Sequence, residues 1–167
     1  MAPRFEDLIE QHHDEIFTYL WRLLGNERQS DVALEVEDLT QEVFLRAFEN
    51  FLRLRRDSNY RAWLYKIATH CAYTKLRQLK NRREKNPTLK IMATDTTISP
   101  ASESTRKQLR ELVDALPAKQ RACLTMRYLQ DLDYSEIGSI LDCTEESVRA
   151  NVYQAIRRLR AALEEDI

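Results

Sequence analysis

Glycine and proline are scarce in this 167-residue chain, at 2 and 4 positions. Sheets and their turns usually consume more of both, so the shortage points to helices. Cysteine is also sparse. Cys71, Cys123 and Cys143 are odd in number and far apart, so they offer neither a disulfide framework nor metal-ligand spacing. Each sits among apolar neighbours, the setting of a buried reduced thiol, with redox sensing as the lesser reading. No apolar run approaches the roughly 18 residues of a membrane span. The start, Met1 to Asp7, lacks the basic and apolar parts of a signal peptide, and a cytoplasmic protein is expected. His12 and His13 are adjacent, so their rings diverge on a helix and cannot share a metal. Phosphate loops, serine elbows and HExxH motifs are missing, so no catalytic residue, metal site or cofactor is expected.

What is present is charge, 32 % of residues against 43 % apolar, enough of both for a soluble chain with a core. The formal net charge of −1 conceals its distribution. Residues 1–52 carry 4 basic and 12 acidic side chains, whereas residues 53–85 carry 11 basic ones against only Asp57 and Glu84. Arg149, Arg157, Arg158 and Arg160 then cluster in the acid-free stretch 147–163. Two basic surfaces behind an acidic one suggest a polyanion and a separate protein partner.

Apolar periodicity predicts helices over about Pro3–Leu24, Val36–Leu54 and from Asp57-Ser58, either of which could cap, to about Arg82. Trp63, Leu64, Ile67, Ala68 and Cys71 form the apolar stripe of the third, which makes Trp63 a core residue. Residues 86–104, with Pro87 and Pro100 among Thr, Ser and Ala, are expected to be a flexible linker. Beyond it come a helix ending before Pro117, another over Ala118–Leu129, a short one over Ser135–Leu141 and a long one over Glu145–Leu163. The expected fold is all-α. Two small helical domains, residues 1–85 and 105–167, flank the linker.

The last two helices form a helix-turn-helix. Asp142-Cys143-Thr144 is short enough for a steep crossing, and Thr144 can cap the second helix. That helix places Val148, Val152, Ile156, Leu159 and Leu163 in one arc. Opposite lie Ser147, Ala150, Gln154, Arg157 and Arg158, flanked by Arg149 and Asn151, side chains suited to base edges and phosphates.

Residue identities sharpen this. Leu116-Pro117-Ala118-Lys119-Gln120-Arg121, Leu124 to Tyr128, Tyr134 to Gly138 and Ser147 to Ala150 together resemble the C-terminal domain of bacterial sigma factors. The resemblance implies −35 contacts from Arg121, Ser147, Arg149, Ala150, Asn151, Gln154, Arg157 and Arg158. Asp38 to Phe48 resembles the helix that grips the clamp of RNA polymerase, which implies roles for Asp38, Gln41, Glu42, Phe44 and Arg46. Arg61 to Ala68 with the basic tail Lys75 to Arg83 resembles the segment that melts and reads the −10 element. There the likeness implies Tyr65, Lys66, Thr69, His70, Tyr73, Arg77, Lys80, Arg82 and Arg83. His70 and Thr74 replace the Asn and Asp of many members, and Asn151 and Gln154 stand where many carry basic residues.

Two such domains with no others resemble the extracytoplasmic-function (ECF) group of the sigma-70 family. The resemblance implies a transcription initiation factor, not an enzyme. It would bind core RNA polymerase at clamp and flap, bind promoter DNA, and meet an anti-sigma factor, without membrane insertion. The alternatives are a stand-alone helix-turn-helix regulator on palindromic DNA and a helical adaptor that binds only protein.

Overall fold

The computed structural model describes residues 2–25, 32–85 and 101–165, all helices and turns among those residues. The helices are α1 (Phe5–Leu23), α2 (Val32–Phe51), α3 (Tyr60–Lys85), α4 (Ala101–Asp114), α5 (Ala118–Leu124), α6 (Tyr134–Leu141) and α7 (Glu145–Glu165). Most of the expected linker lies outside the described residues, but its last part, from Ala101, already belongs to α4.

Several boundaries depart from the expectation for physical reasons. α2 begins at Val32, ahead of the periodic signal: Leu34 is exposed, and the apolar stripe is read from the buried Val36 onward. The cap of α3 is neither Asp57 nor Ser58; the Asn59 side chain accepts the Ala62 amide at 3.1 Å. The helix expected over Ala118–Leu129 changes pitch after Leu124. Thr125–Leu129 is a π-helical turn, closed by the Gln130 amide donating to the Thr125 carbonyl at 3.1 Å. Asp131 follows in the left-handed region, at φ 56°.

The helix-turn-helix forms as expected, with better caps. Asp133 and Glu136 exchange side-chain bonds with each other's amides at 2.8 and 3.0 Å, which starts α6 one residue early. Thr144 accepts the Ser147 amide at 3.1 Å. Between them Asp142 adopts φ 53°, and the Cys143 amide closes on the Gly138 carbonyl at 3.0 Å.

α1, α2 and α3 pack through Ile16, Tyr19, Leu20, Leu23, Val36, Leu39, Val43, Ala47, Leu64, Ala68 and Ala72. Met126, Leu132, Ile137, Ile140, Val148 and Val152 of the C-terminal half join the same core. Trp63 is half-buried and packs against this core. Cys71 and Cys123 are buried and Cys143 is half-buried, all as free thiols. Burial pushes the Cys123 thiol up to about 12, so it stays protonated.

Gly138 is required by the steep crossing. A Cβ there would lie 2.8 Å from the Cys143 carbonyl oxygen, which is backbone and cannot swing aside. Gly138→Ala should therefore lower stability by about 1–2 kcal/mol net, the steric cost outweighing the roughly 1 kcal/mol helix-propensity gain. Urea unfolding of the two proteins checks this; equal midpoints would place the turn elsewhere.

Candidate nucleic-acid interface

α7 presents its polar face outward. Val148, Val152 and Ala155 are buried beneath it, while Arg149, Ala150, Gln154, Arg157 and Arg158 are exposed. Ser147 and Asn151 are half-buried at the edge, with the Asn151 amide donating to the Ser147 carbonyl at 2.8 Å. Gln154 accepts from the Gln120 side chain at 3.1 Å. Arg149 is held twice, by Glu145 at 3.3 Å and by the Tyr134 ring, 5.0 Å from its centroid. Arg127 meets the same ring at 4.6 Å. Tyr134 thereby orients two guanidinium groups, a part that its place at the start of a helix does not disclose.

Arg121 is not available to DNA in this arrangement. Only 7 % exposed, it donates to the Leu23 carbonyl at 2.8 Å, to Leu116 at 3.3 Å and to the Asp114 carbonyl. Its guanidinium serves the ends of α1 and α4, where backbone carbonyls lack intrahelical partners.

On α3, Lys66, His70, Arg77, Lys80 and Arg82 are exposed, and Tyr73 is half-buried. The Arg83 side chain lies outside what the structure describes. Tyr65 and Thr69 depart from the expectation of a DNA-facing role: both are buried. Thr69 donates to the Tyr65 carbonyl at 2.8 Å and pairs with the Tyr19 hydroxyl at 2.7 Å. Tyr65 donates to Glu15 at 2.9 Å. Their hydroxyls complete the interior rather than the surface.

Lys66, His70 and Tyr73 line a cleft of about 440 Å³ with Trp63, Ile67 and Arg46, closed on the far side by Ile140, Leu141 and Asp142. Lys66 pairs with Asp142 across it at 2.8 Å. The Tyr73 hydroxyl is buried with no hydrogen-bond partner among the described residues, and burial pushes its pKa well above the ordinary value of 10.

Along α2, Asp38, Gln41, Glu42 and Arg46 are exposed and Phe44 is buried. Glu42 and Arg46 pair at 2.6 Å on the side of the interdomain cleft. Gln41 instead belongs to an apolar groove between α1 and α2, with Phe5, Ile9, Phe44, Leu45 and Phe48. Phe48 is 63 % exposed, as Leu45 is at 65 % and Leu52 at 92 %. The Leu45, Phe48, Leu52 spacing marks a second apolar stripe, legible in the sequence as i, i+3, i+7 beside the core stripe.

Glu15 connects these faces. It accepts from Arg61 at 3.0–3.2 Å, from Tyr65, and pairs with His12 at 2.7 Å. Burial raises its pKa, but the hydrogen bonds from Arg61, His12 and Tyr65 outweigh it and leave the carboxyl below the ordinary 4.5. A carboxylate with a depressed folded-state pKa contributes stability that is present above its unfolded pKa and lost as pH falls through the folded one. The chain should therefore lose stability as the pH drops below about 4.5, and Glu15→Gln should flatten that acid limb while lowering stability at pH 7. Thermal unfolding at several pH values reads both; parallel acid limbs would remove Glu15 from the account.

Known sequences agree with this architecture. Residues 8–83 match the family Sigma-70 region 2, and residues 106–159 match Sigma-70, region 4. The ECF RNA polymerase sigma-E factor of Escherichia coli is 30 % identical over 135 residues, covering 72 % of this chain and 70 % of that protein. The ECF sigma factor SigW of Bacillus subtilis is 25 % identical over 174 residues, 95 % of this chain and 88 % of its own. SigE of Mycolicibacterium smegmatis is 26 % identical, and there this chain spans 61 % of the relative's length. Among solved structures, the fold resembles the sigma factor RpoE of Bartonella quintana bound to the anti-sigma factor NepR, with TM-score 0.69 and 21 % identity over 98 % of both chains. CnrH in complex with the cytosolic domain of CnrY gives TM-score 0.69 at 18 % identity, over 98 % of this chain and 89 % of that one. With both sigma-70 regions matched in order and these relatives covered along most of the chain, it belongs to the ECF group of the sigma-70 family of RNA polymerase sigma factors.

Proposed function

We propose that this chain directs core RNA polymerase to promoters and initiates transcription, reading the −10 element with residues 1–85 and the −35 element with residues 105–167. The observation that carries this is the pair of cationic helix faces, on α3 and α7, within matched sigma-70 regions. Asp38, Gln41 and Glu42, with the groove of Phe44, Leu45 and Phe48, suit a charged partner helix with an apolar ridge, and the polymerase clamp is the partner assigned to them. Arg46 supports that face through Glu42. Lys66, His70, Tyr73, Arg77, Lys80, Arg82 and Arg83 would take the −10 strand, where an aromatic ring and a cationic groove offset lost stacking. Ser147, Arg149, Ala150, Asn151, Gln154, Arg157 and Arg158 would enter the −35 major groove, the first residues toward bases and the last toward phosphates. Chemistry belongs to the polymerase, which the chain joins in the cytoplasm. An anti-sigma factor is the expected regulator, since the solved neighbour RpoE of Bartonella quintana was captured with the anti-sigma factor NepR.

Run-off transcription with purified core polymerase and fragmented genomic DNA tests the reading. Discrete starts sharing two upstream elements, present only when the chain is added, are the expected result. DNA binding without new starts would favour a stand-alone regulator. Reversing the charge at Asp38 and Glu42 together with Gln41→Lys should abolish co-purification with polymerase while helicity is retained; unchanged co-purification would move the clamp site off α2. Gln154→Ala with Arg158→Ala should weaken −35-dependent transcription roughly tenfold, the scale of one base contact and one phosphate contact. Indifference to both would mean that α7 enters the groove on another face.

A further inference from the structure

We propose that Gln120, a buried residue of α5, determines specificity for the −35 element by fixing the exposed amide of Gln154 so that it reads an adenine in the major groove; the inference rests on the −35 assignment of α7 above. Gln120 is 7 % exposed, and its Nε2 donates to Oε1 of Gln154 at 3.1 Å. Its own Oε1 is buried with no hydrogen-bond partner among the described residues. The reverse arrangement, with Gln154 donating, would leave both hydrogens of the Gln120 amino group unpaired instead. Orphaned N–H groups are rarer in proteins than under-satisfied carbonyls, which favours Gln120 as the donor. Folding alone gives no reason for glutamine here. A leucine would fill nearly the same volume with no polar atom left to satisfy. What the amide does and leucine cannot is hold Gln154.

An exposed glutamine carries much rotamer freedom, and freezing it on binding weakens the contact it makes. On α7 itself, Ala150, one turn before Gln154, has no polar side chain, and the Asn151 amide is given to the Ser147 carbonyl at 2.8 Å. The anchor comes from α5 instead. Its bond takes one lone pair of the Gln154 Oε1 and leaves the other, with both Nε2 hydrogens, for DNA. Among the bases only adenine sets an acceptor, N7, beside a donor, the N6 amino group, on its major-groove edge. Guanine shows two acceptors there, cytosine a donor, and thymine an acceptor with a methyl group. Adenine is therefore the base that uses both of the functions Gln154 keeps. Donation from Gln120 also polarises the Gln154 amide and strengthens its outward N–H groups.

Run-off transcription by the full chain with core polymerase, from a promoter whose −35 element is randomised, reads the base preference at each position. The wild type should favour adenine roughly tenfold at one position, a preference that Gln154→Ala removes. Gln120→Leu should weaken the preference at that same position about threefold to tenfold, the scale of one neutral hydrogen bond, and leave the other positions unchanged. In the Gln154→Ala background it should change nothing further. Its thermal midpoint should match or exceed that of the wild type, because the unpaired acceptor is gone. A glutamine with a purely structural part would instead lower the midpoint and reduce transcription from every promoter alike. A profile that Gln120→Leu or Gln154→Ala leaves intact, or a Gln154-dependent preference for another base, would overturn the inference while the −35 assignment of α7 stands. Starts with no −35 preference at all would sink that assignment, and the inference with it.

Discussion

A carboxylate that is taken out of water between helices must be matched by donors, and in this protein the matching of Glu15 sets the geometry of much else. Arg61 meets it with two nitrogens at 3.0–3.2 Å, a fork that tolerates little rotation between α1 and α3. Tyr65 completes the set, and its phenol is held protonated, first by burial and further by the adjacent carboxylate. Because Arg61 and Tyr65 lie one turn apart on α3, their shared partner fixes the rotation of that helix about its axis. That rotation decides that Lys66, His70 and Tyr73 face the cleft. The same phenol then accepts from Gln130, so the C-terminal half takes its register from the cluster that orients the cleft-facing side of α3.

How much of this is legible in the sequence differs from residue to residue. The amphipathic helices are, because Ile16, Leu20 and Leu23, or Val148 and Val152, repeat at helical spacing and are buried. The turn chemistry around Thr144 and the requirement for Gly138 follow equally from local rules. Tyr65, Thr69 and Arg121 are opaque. Each is amphipathic, at home either at a nucleic-acid surface or in an interior that supplies partners, and those partners are Tyr19, Glu15 and the Leu23 carbonyl, 50 to 98 positions away. Spacing along one helix carries no trace of them. The π-turn is hidden for a similar reason: Thr125 to Leu129 reads as ordinary helix, and its wider register becomes necessary only once Gln130 has a buried destination.

Charge segregation gains meaning in the fold. Among the described side chains of α3 the last buried one is Leu79, and Lys80 and Arg82 beyond it are exposed. Like charges gathered on one helix repel and are not stabilised by packing, so folding alone gives no reason to collect them. The acidic surplus of the first 52 residues does not neutralise them either: the ion pairs that join it to α3 among the described residues, Glu15 with Arg61 at 3.0 Å and Glu35 with Lys75 at 3.8 Å, use residues upstream of that cluster. A cationic end left standing in solvent is matched by a polyanion from outside.

The interface between the halves combines polar and apolar contacts of different kinds. Its polar bonds are net weak, because water replaces them on separation, about 1 kcal/mol each. Its exposed pair, Lys66 with Asp142, contributes less still. Apolar contacts of Ile140 and Leu141 over the cleft supply attraction but little specificity. With Met126, Leu132 and Ile137 sharing one core with α1–α3, apolar burial holds the halves together, while the polar bonds select their relative orientation.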